Sequence, residues 1–218
     1  MDEAIRPKLI MTYWDGTDSV GHIYGTDHEK IFDQMVRQDQ MLAVLFSRLT
    51  EIDAWDYVTL LLVSDHGMIN VNKYISLKDV LDSIEIDYIL SAGPAVAHIF
   101  IDDKAQRDEA LELLSRQDHM IAYRRENLPA SFHMNHPTRT GDLIVTTEPP
   151  YMFNNNPKDS PKGMHGYDPD LREMHAIFGA VGAGVRNERI GPIHMTDVAP
   201  TIAKLLGIKS VNHMQGRA

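Results

Sequence analysis

The feature that most constrains the fold is an almost unbroken apolar run at residues 57–63, Tyr-Val-Thr-Leu-Leu-Leu-Val. A strand with one solvated face alternates apolar and polar residues, whereas a strand covered on both faces is apolar throughout. The run therefore predicts a central strand of a parallel sheet. Further strands are predicted at residues 8–13, 97–101, 142–147 and 176–181.

Segments with helical periodicity separate these strands. Residues 27–52 place apolar side chains on one face, and Thr26 and Glu29 have the spacing of a capping box. Shorter helices are predicted at residues 77–81 after a Ser76 cap, at residues 104–116 and from about residue 196 to Gly207. The alternation of strands and helices predicts an α/β fold of three layers, a mostly parallel sheet with helices on both faces.

Length and composition bound the domain organisation. The 218 residues, 43% of them apolar, suffice for one folded domain with a sizeable core. Residues 84–140 show strand, helix and strand at short spacing, which indicates a small inserted α+β lobe. We therefore predict a single α/β domain over residues 1–218 with an inserted lobe at about residues 84–140.

Charge and residue usage exclude several classes of partner. The 21 Lys and Arg residues against 31 Asp and Glu give a net charge of −10, which argues against nucleic acid and anionic membrane surfaces. No apolar run approaches the roughly 18 residues of a membrane span. The first ten residues lack the apolar core of a secretory signal, so the sequence assigns no compartment. The absence of cysteine excludes disulfides, thiolate metal sites and a cysteine nucleophile.

Three short segments carry side chains suited to catalysis or metal binding. Asp18 and His22 are four residues apart and would lie on one side of a helical turn. Asp65 and His66 directly follow the central apolar run, at the strand end where α/β sheets place their ligands. His165 lies between Met164 and Gly166 in a long loop.

Together these segments supply two carboxylates and three imidazoles, a donor set that suits Zn²⁺ and, less well, Mn²⁺ or Fe²⁺. Each segment alone has a simpler structural interpretation. Asp18 would be a turn or cap residue, His22 a surface group and His165 the tip of a loop. Their combination favours a metal site.

Three motifs in this order resemble a known family. Residues 13–25 (Tyr-Trp-Asp-Gly-Thr-Asp-Ser-Val-Gly-His-Ile-Tyr-Gly), 64–68 (Ser-Asp-His-Gly-Met) and 164–167 (Met-His-Gly-Tyr) resemble the metal-binding signatures of the nucleotide pyrophosphatase/phosphodiesterase family, in the alkaline phosphatase superfamily. Further similarity lies at residues 141–145, 174–178 and 197–208. The resemblance implies an alkaline-phosphatase-like fold and a hydrolase of phosphodiester or nucleotide pyrophosphate bonds.

The resemblance also implies a cofactor and a division of its ligands. Family members use two Zn²⁺ ions. By correspondence of the motifs, Asp18, His22 and His165 would hold one ion, and Asp65 and His66 would contribute to the other. The implied substrate is a small phosphodiester or a nucleotide. Family members are often secreted or membrane-anchored.

One part of the family pattern has no counterpart in residues 1–15. The family's nucleophilic Thr and a further metal-binding Asp lie upstream of the first motif, so the catalytic nucleophile is not identified in this chain and the second metal site is expected to be incomplete. We expect the chain to correspond to the carboxyl-terminal half of a phosphodiesterase. Two alternatives stay open: another superfamily enzyme, such as a phosphomutase or phosphonate hydrolase, and a non-catalytic metal-binding fragment.

The same comparison predicts association with a partner. Loss of a neighbouring strand would leave residues 8–13 or 57–63 with unpaired backbone groups and little charge, the properties of an edge that pairs with another chain. We therefore expect a homo-oligomer or association with a missing amino-terminal half.

Overall fold

A computed structural model describes residues 5–209 and 214–218. The helices are α1 (Gly16–Tyr24), α2 (Glu29–Glu51), α3 (Leu77–Leu81), α4 (Lys104–Ser115) and α5 (Val198–Leu205). The strands are β1 (Thr59–Val63), β2 (Ile69–Asn70), β3 (Lys73–Ile75), β4 (Ile89–Ala92), β5 (Val96–Phe100), β6 (Met120–Arg124), β7 (Leu143–Thr147), β8 (Tyr151–Phe153), β9 (Gly163–Met164) and β10 (Phe178–Gly182). The described chain is therefore mixed α/β.

The chain forms two compact units. The first comprises Met1–Asp15, Val36–Asp65 and Ala176–Ala218, and the second comprises Gly16–Met35 and His66–His175. Helix α2 begins in the second unit and continues in the first. No helix in the described part of the chain combines the length and apolar character needed to cross a membrane.

The second unit contains the hydrophobic core. A four-stranded antiparallel sheet has the order β4-β5-β7-β6. Its side chains pack with α3 and α4 around Leu81, Ile99, Leu114 and Leu143, each fully buried. A smaller cluster around Met152, Met164 and Tyr167 lies beside the β2–β9 and β3–β8 pairs.

The first unit contains little buried apolar surface. Strands β1 and β10 pair antiparallel, with Val63 opposite Phe178. Ala54, Pro200 and Ala203 are its only buried apolar residues among those described, whereas Leu62 and Val63 are 36% and 43% exposed. The described part of α2 contains no buried residue.

Several predictions are confirmed. The helix expected at residues 27–52 is α2, and the helix expected at residues 104–116 is α4. Ser76 caps α3 as predicted, because its side chain accepts a hydrogen bond from the Asp79 amide. The strands expected at residues 97–101, 142–147 and 176–181 are β5, β7 and β10.

The cap expected for α2 is wrong in detail. The helix begins at Glu29, so its capping position is His28 rather than Thr26. The His28 Nδ1 accepts a hydrogen bond from the Lys30 amide at 3.2 Å. The Thr26 amide instead donates to Asn70 Oδ1 at 2.6 Å, which ties the loop before α2 to β2.

Two strand predictions are wrong for this chain. Residues 57–63 do contain β1, but its partner β10 is antiparallel, and the sheets of the described residues are small and mostly antiparallel. An apolar run carries no information on the direction of the neighbouring strand, and in the described chain β1 is only partly buried. Residues 8–13 form no strand, because a strand requires hydrogen bonds to a neighbour and no described segment pairs with them.

Candidate metal centre

Helix α1 presents the first two candidate ligands on one side. Asp18 and His22 are one helical turn apart, and Asp18 Oδ1 lies 3.3 Å from His22 Nε2. The His22 Nδ1 is 2.8 Å from the main-chain carbonyl of Gly163. Because a carbonyl oxygen only accepts, Nδ1 carries the proton in this contact, and Nε2 is the ring atom that faces Asp18.

The third candidate ligand, His66, is held by the turn that follows β1. Its Nδ1 lies 2.8 Å from the Gly67 carbonyl, a contact in which Nδ1 is the donor. Glycine is required at position 67 because the backbone of Glu173 approaches it closely. A β-carbon at this position would lie 2.0 Å from the Glu173 carbonyl oxygen. The Gly67 amide donates to the Met174 carbonyl at 3.0 Å, which fixes the turn.

The fourth candidate ligand, His165, directly follows β9. Its ring stacks on that of His66, with centroids 3.6 Å apart and planes inclined by 16°. Gly166 has a φ of 84°, a backbone conformation that favours glycine, and it turns the chain after His165. The loop continues to Tyr167, whose hydroxyl donates to the Tyr151 carbonyl at 2.7 Å.

These side chains surround a single carboxylate oxygen. Asp18 Oδ1 lies 3.3, 3.6 and 4.0 Å from the Nε2 atoms of His22, His165 and His66. The donor atoms of Asp18, His66 and His165 all lie within 4.8 Å of one another. Each of the four side chains is about 30% exposed, so the group opens to solvent on one side.

The chemistry of this group fits a divalent cation. Asp18 Oδ1 is buried and makes no hydrogen bond among the described residues. A buried carboxylate oxygen without a hydrogen bond is costly. A cation bound there would offset this cost, and a carboxylate with imidazoles is a donor set that suits zinc.

Comparison with known protein families shows which family this chain belongs to. Residues 1–168 match the sequence profile of the type I phosphodiesterase/nucleotide pyrophosphatase family. The chain belongs to this family.

Individual phosphodiesterase family members show how much of the fold is present. The Xenopus laevis bis(5'-adenosyl)-triphosphatase enpp4 is 29% identical over 200 residues, which are 90% of this chain and 44% of that protein. The structure of human ectonucleotide pyrophosphatase/phosphodiesterase 5 matches with a TM-score of 0.83 at 29% identity, over 92% of this chain and 54% of that one. An inactive murine form of the same protein, in complex with AMP, matches with a TM-score of 0.82 at 28% identity, over 94% of this chain and 55% of that one. The chain thus spans about half the length of these relatives.

Of the five phosphodiesterase ligands expected from sequence, four lie together in the second unit: Asp18, His22, His66 and His165. Asp65 is the last residue of its segment of the first unit and is exposed. Strand β1 ends at Val63, so Asp65 and His66 lie beyond it, as the motif predicts for a functional turn.

Two further residues, Tyr167 and His98, stabilise the fold and are not candidate metal ligands. Burial raises the pKa of Tyr167 to about 12, so its hydroxyl stays protonated and anchors the loop after His165. Burial lowers the pKa of His98, whose Nδ1 accepts from the Gly141 amide at 3.2 Å.

Sequence reasoning missed the residues that bring α1 close to β9. Gly21 and Gly163 face each other so closely that a β-carbon on Gly163 would lie 2.5 Å from the Gly21 carbonyl oxygen. The sequence offered one signal for this contact: a glycine directly precedes both His22 and Met164. Which backbone they approach could not be known without the fold.

Proposed function

We propose that this chain supplies the metal-binding part of a hydrolase that cleaves phosphodiester or nucleotide pyrophosphate bonds with two divalent ions, preferably Zn²⁺. Asp18, His22 and His165 hold the first ion, and Asp65 and His66 contribute to the second. The observation that carries the proposal is the buried Asp18 Oδ1, which has three imidazole nitrogens within 4.0 Å and no hydrogen-bond donor among the described residues.

Distances within the group support the first ion. In a tetrahedral zinc site with bonds of about 2.0–2.1 Å, neighbouring ligand atoms are separated by about 3.3 Å. Asp18 Oδ1 is 3.3 Å from His22 Nε2 and 3.6 Å from His165 Nε2. These three ligands leave a fourth position open, as catalytic zinc sites do.

The ring geometry supports a second ion at His66. The Nε2 lone pair lies in the plane of the imidazole, so a coordinated ion lies near that plane. The rings of His66 and His165 are nearly parallel, with centroids 3.6 Å apart, and they cannot both direct lone pairs at one ion without strong bending. Two separate ions, one for each ring, would remove this conflict, as two-metal sites allow.

In this proposal, the residues of this chain bind the metal ions and hold the coordinating imidazole rings in the right orientation. Bound zinc would supply Lewis-acid stabilisation of the charge that develops on a phosphoryl oxygen. The carbonyls of Gly163 and Gly67 hold the rings of His22 and His66 in the tautomer that binds metal. In the family that this chain resembles, the nucleophile is a Thr. We propose that this nucleophile and the remaining ligands of the second ion come from an amino-terminal part of the complete protein.

The relatives suggest the class of substrate. The frog relative is named as a bis(5'-adenosyl)-triphosphatase, and the murine relative is in complex with AMP. We propose a nucleotide or a related small phosphodiester as the substrate of the complete protein.

The exposed surface of the first unit supports a partner that completes the fold. Of the exposed large apolar side chains, most belong to this unit, including Ile10, Met11, Leu62 and Val63. A two-stranded sheet is marginally stable without further strands or an apolar cover. We propose that an amino-terminal half, or a second copy of the chain, adds strands beside β1 and completes a three-layer, mostly parallel sheet.

One experiment separates the alternatives. We would assay bis-p-nitrophenyl phosphate and p-nitrophenyl phosphate with the zinc-loaded chain, and with a protein extended upstream through its reading frame. The proposal predicts diester hydrolysis by the extended protein, loss of it in Asp18→Asn and very slow turnover by the chain alone. A preference for the monoester would favour another superfamily enzyme. Zinc binding without turnover by the extended protein would favour a non-catalytic fragment.

A further inference from the structure

Three backbone segments that carry candidate ligands meet at one side chain, Met68. Met68 follows His66 by two residues and is half-buried. A β-carbon on Gly21 of α1 would lie 2.3 Å from Met68 Sδ, and one on Gly163 of β9 would lie 2.9 Å from it. The thioether therefore occupies the space that two glycines leave open.

The contact between α1 and β9 determines where His22 lies. The Lys162 amide donates to the His22 carbonyl at 2.8 Å, and the His22 ring approaches the Gly163 carbonyl at the same distance. Both bonds link the helix directly to the segment that continues into His165. A shift of α1 away from β9 would break them and separate His22 from His165.

We propose that Met68 is a positioning residue of the metal centre, which holds α1 against β9 through its thioether. It contacts no ion and takes no part in bond making. The unbranched side chain reaches between the two glycines and fills the irregular gap that a helix and a strand leave. Its loss would open a cavity at the point where the ligand-bearing segments meet.

The expected change in zinc affinity rests on the proposed function, whereas the expected change in packing between α1 and β9 does not. Met68→Ala removes the thioether, and Met68→Leu keeps a side chain of similar volume. Met120→Ala is the matched control, because Met120 is buried in the core of the four-stranded sheet and contacts none of the ligand-bearing segments in that cluster. If Met68→Ala does not fold, Met68→Val replaces it.

Two quantities would be measured on each full-length chain: the zinc dissociation constant, by competition with a chelator, and the exchange rate of the Lys162 amide without metal. We expect Met68→Ala to raise the zinc dissociation constant about 10–100-fold, the usual effect of losing a residue that orients ligands. The Lys162 amide should exchange faster than global destabilisation explains. Met68→Leu should stay within about threefold of the parent, because the volume is conserved.

Other results would overturn the inference. Parent-like zinc affinity and Lys162 exchange in Met68→Ala would show that the contact positions nothing. An equal loss of affinity in Met120→Ala would assign the effect to general destabilisation. If the parent binds no zinc, the proposed function fails, and Lys162 exchange alone decides: selective acceleration supports the positioning role and an unchanged rate overturns it.

Discussion

His66 and His165 lie face to face, with ring centroids 3.6 Å apart and planes inclined by 16°. The Nε2 atoms of both rings lie within 4.0 Å of the same Asp18 oxygen. The His22 Nε2 approaches the same oxygen, which is buried and makes no hydrogen bond among the described residues. This relationship connects two distant motifs and motivates the first prediction.

The chain should bind close to one equivalent of zinc tightly and a second weakly. Under the proposed assignment, Asp18, His22 and His165 hold the first ion, whereas this chain contributes only Asp65 and His66 to the second. His165→Ala should weaken tight binding at least about 100-fold, because a lost ligand costs more than a lost orienting group. Elemental analysis after zinc loading and removal of excess metal measures this.

The control for this prediction is His175→Ala, which removes an exposed imidazole of the same unit. It should bind zinc as the parent does. A parent chain without metal after loading would contradict the prediction, as would equal losses in the two variants.

Gly67→Ala should destabilise the chain because of a backbone clash. The new β-carbon would lie 2.0 Å from the Glu173 carbonyl oxygen, which belongs to a backbone that cannot rotate away. We expect a loss of about 1–3 kcal/mol in the free energy of unfolding, measured by urea denaturation. Gly191→Ala is the matched control, since no atom lies within 4 Å of its β-carbon position and it should be near neutral. Similar stability in the two variants would refute the close approach.

Alkaline pH should destabilise the fold through Tyr167. Burial raises its pKa to about 12 in the folded chain, above the value of about 10 in the unfolded chain. The unfolded state therefore releases its proton first, and the Tyr167 contribution is complete below about pH 10 and is lost as pH rises towards 12. Tyr167→Phe should show a flatter decline of unfolding free energy above pH 10. Identical slopes for the variant and the parent would contradict this.

The isolated chain should associate through the first unit. Leu62 and Val63 are exposed on an antiparallel pair that has no further strand among the described residues. Such an edge pairs with other chains unless a charge blocks it. Light scattering should show a dimer or larger assembly, and Val63→Lys should reduce it. A monomer at every concentration would contradict the missing-strand argument.

The site was more predictable from sequence than the sheet. The spacing of Asp18 and His22 specifies a shared helix face, and the geometry of α1 follows that spacing. His66 could be placed beyond a strand because an apolar run ends just before it. These are local relationships, and local sequence determines them.

Long-range relationships were not predictable in the same way. The run at residues 57–63 gave no information on strand direction, and its partner β10 lies far along the chain. The close approach of the Glu173 backbone to Gly67 likewise depends on residues far along the chain. Met68 entered the sequence analysis only as the last residue of the 64–68 motif, because its contacts with Gly21 and Gly163 exist only once three segments have come together.

The most direct test of the central claim is X-ray absorption spectroscopy of the chain loaded with one equivalent of zinc. If Asp18, His22 and His165 bind the zinc, the spectrum should show nitrogen and oxygen ligands at about 2.0–2.2 Å with the outer-shell scattering of two imidazoles. That scattering should fall to one imidazole in His165→Ala. A zinc environment of oxygen ligands alone, without imidazole scattering in the parent chain, would contradict the assignment of Asp18, His22 and His165 as a metal centre.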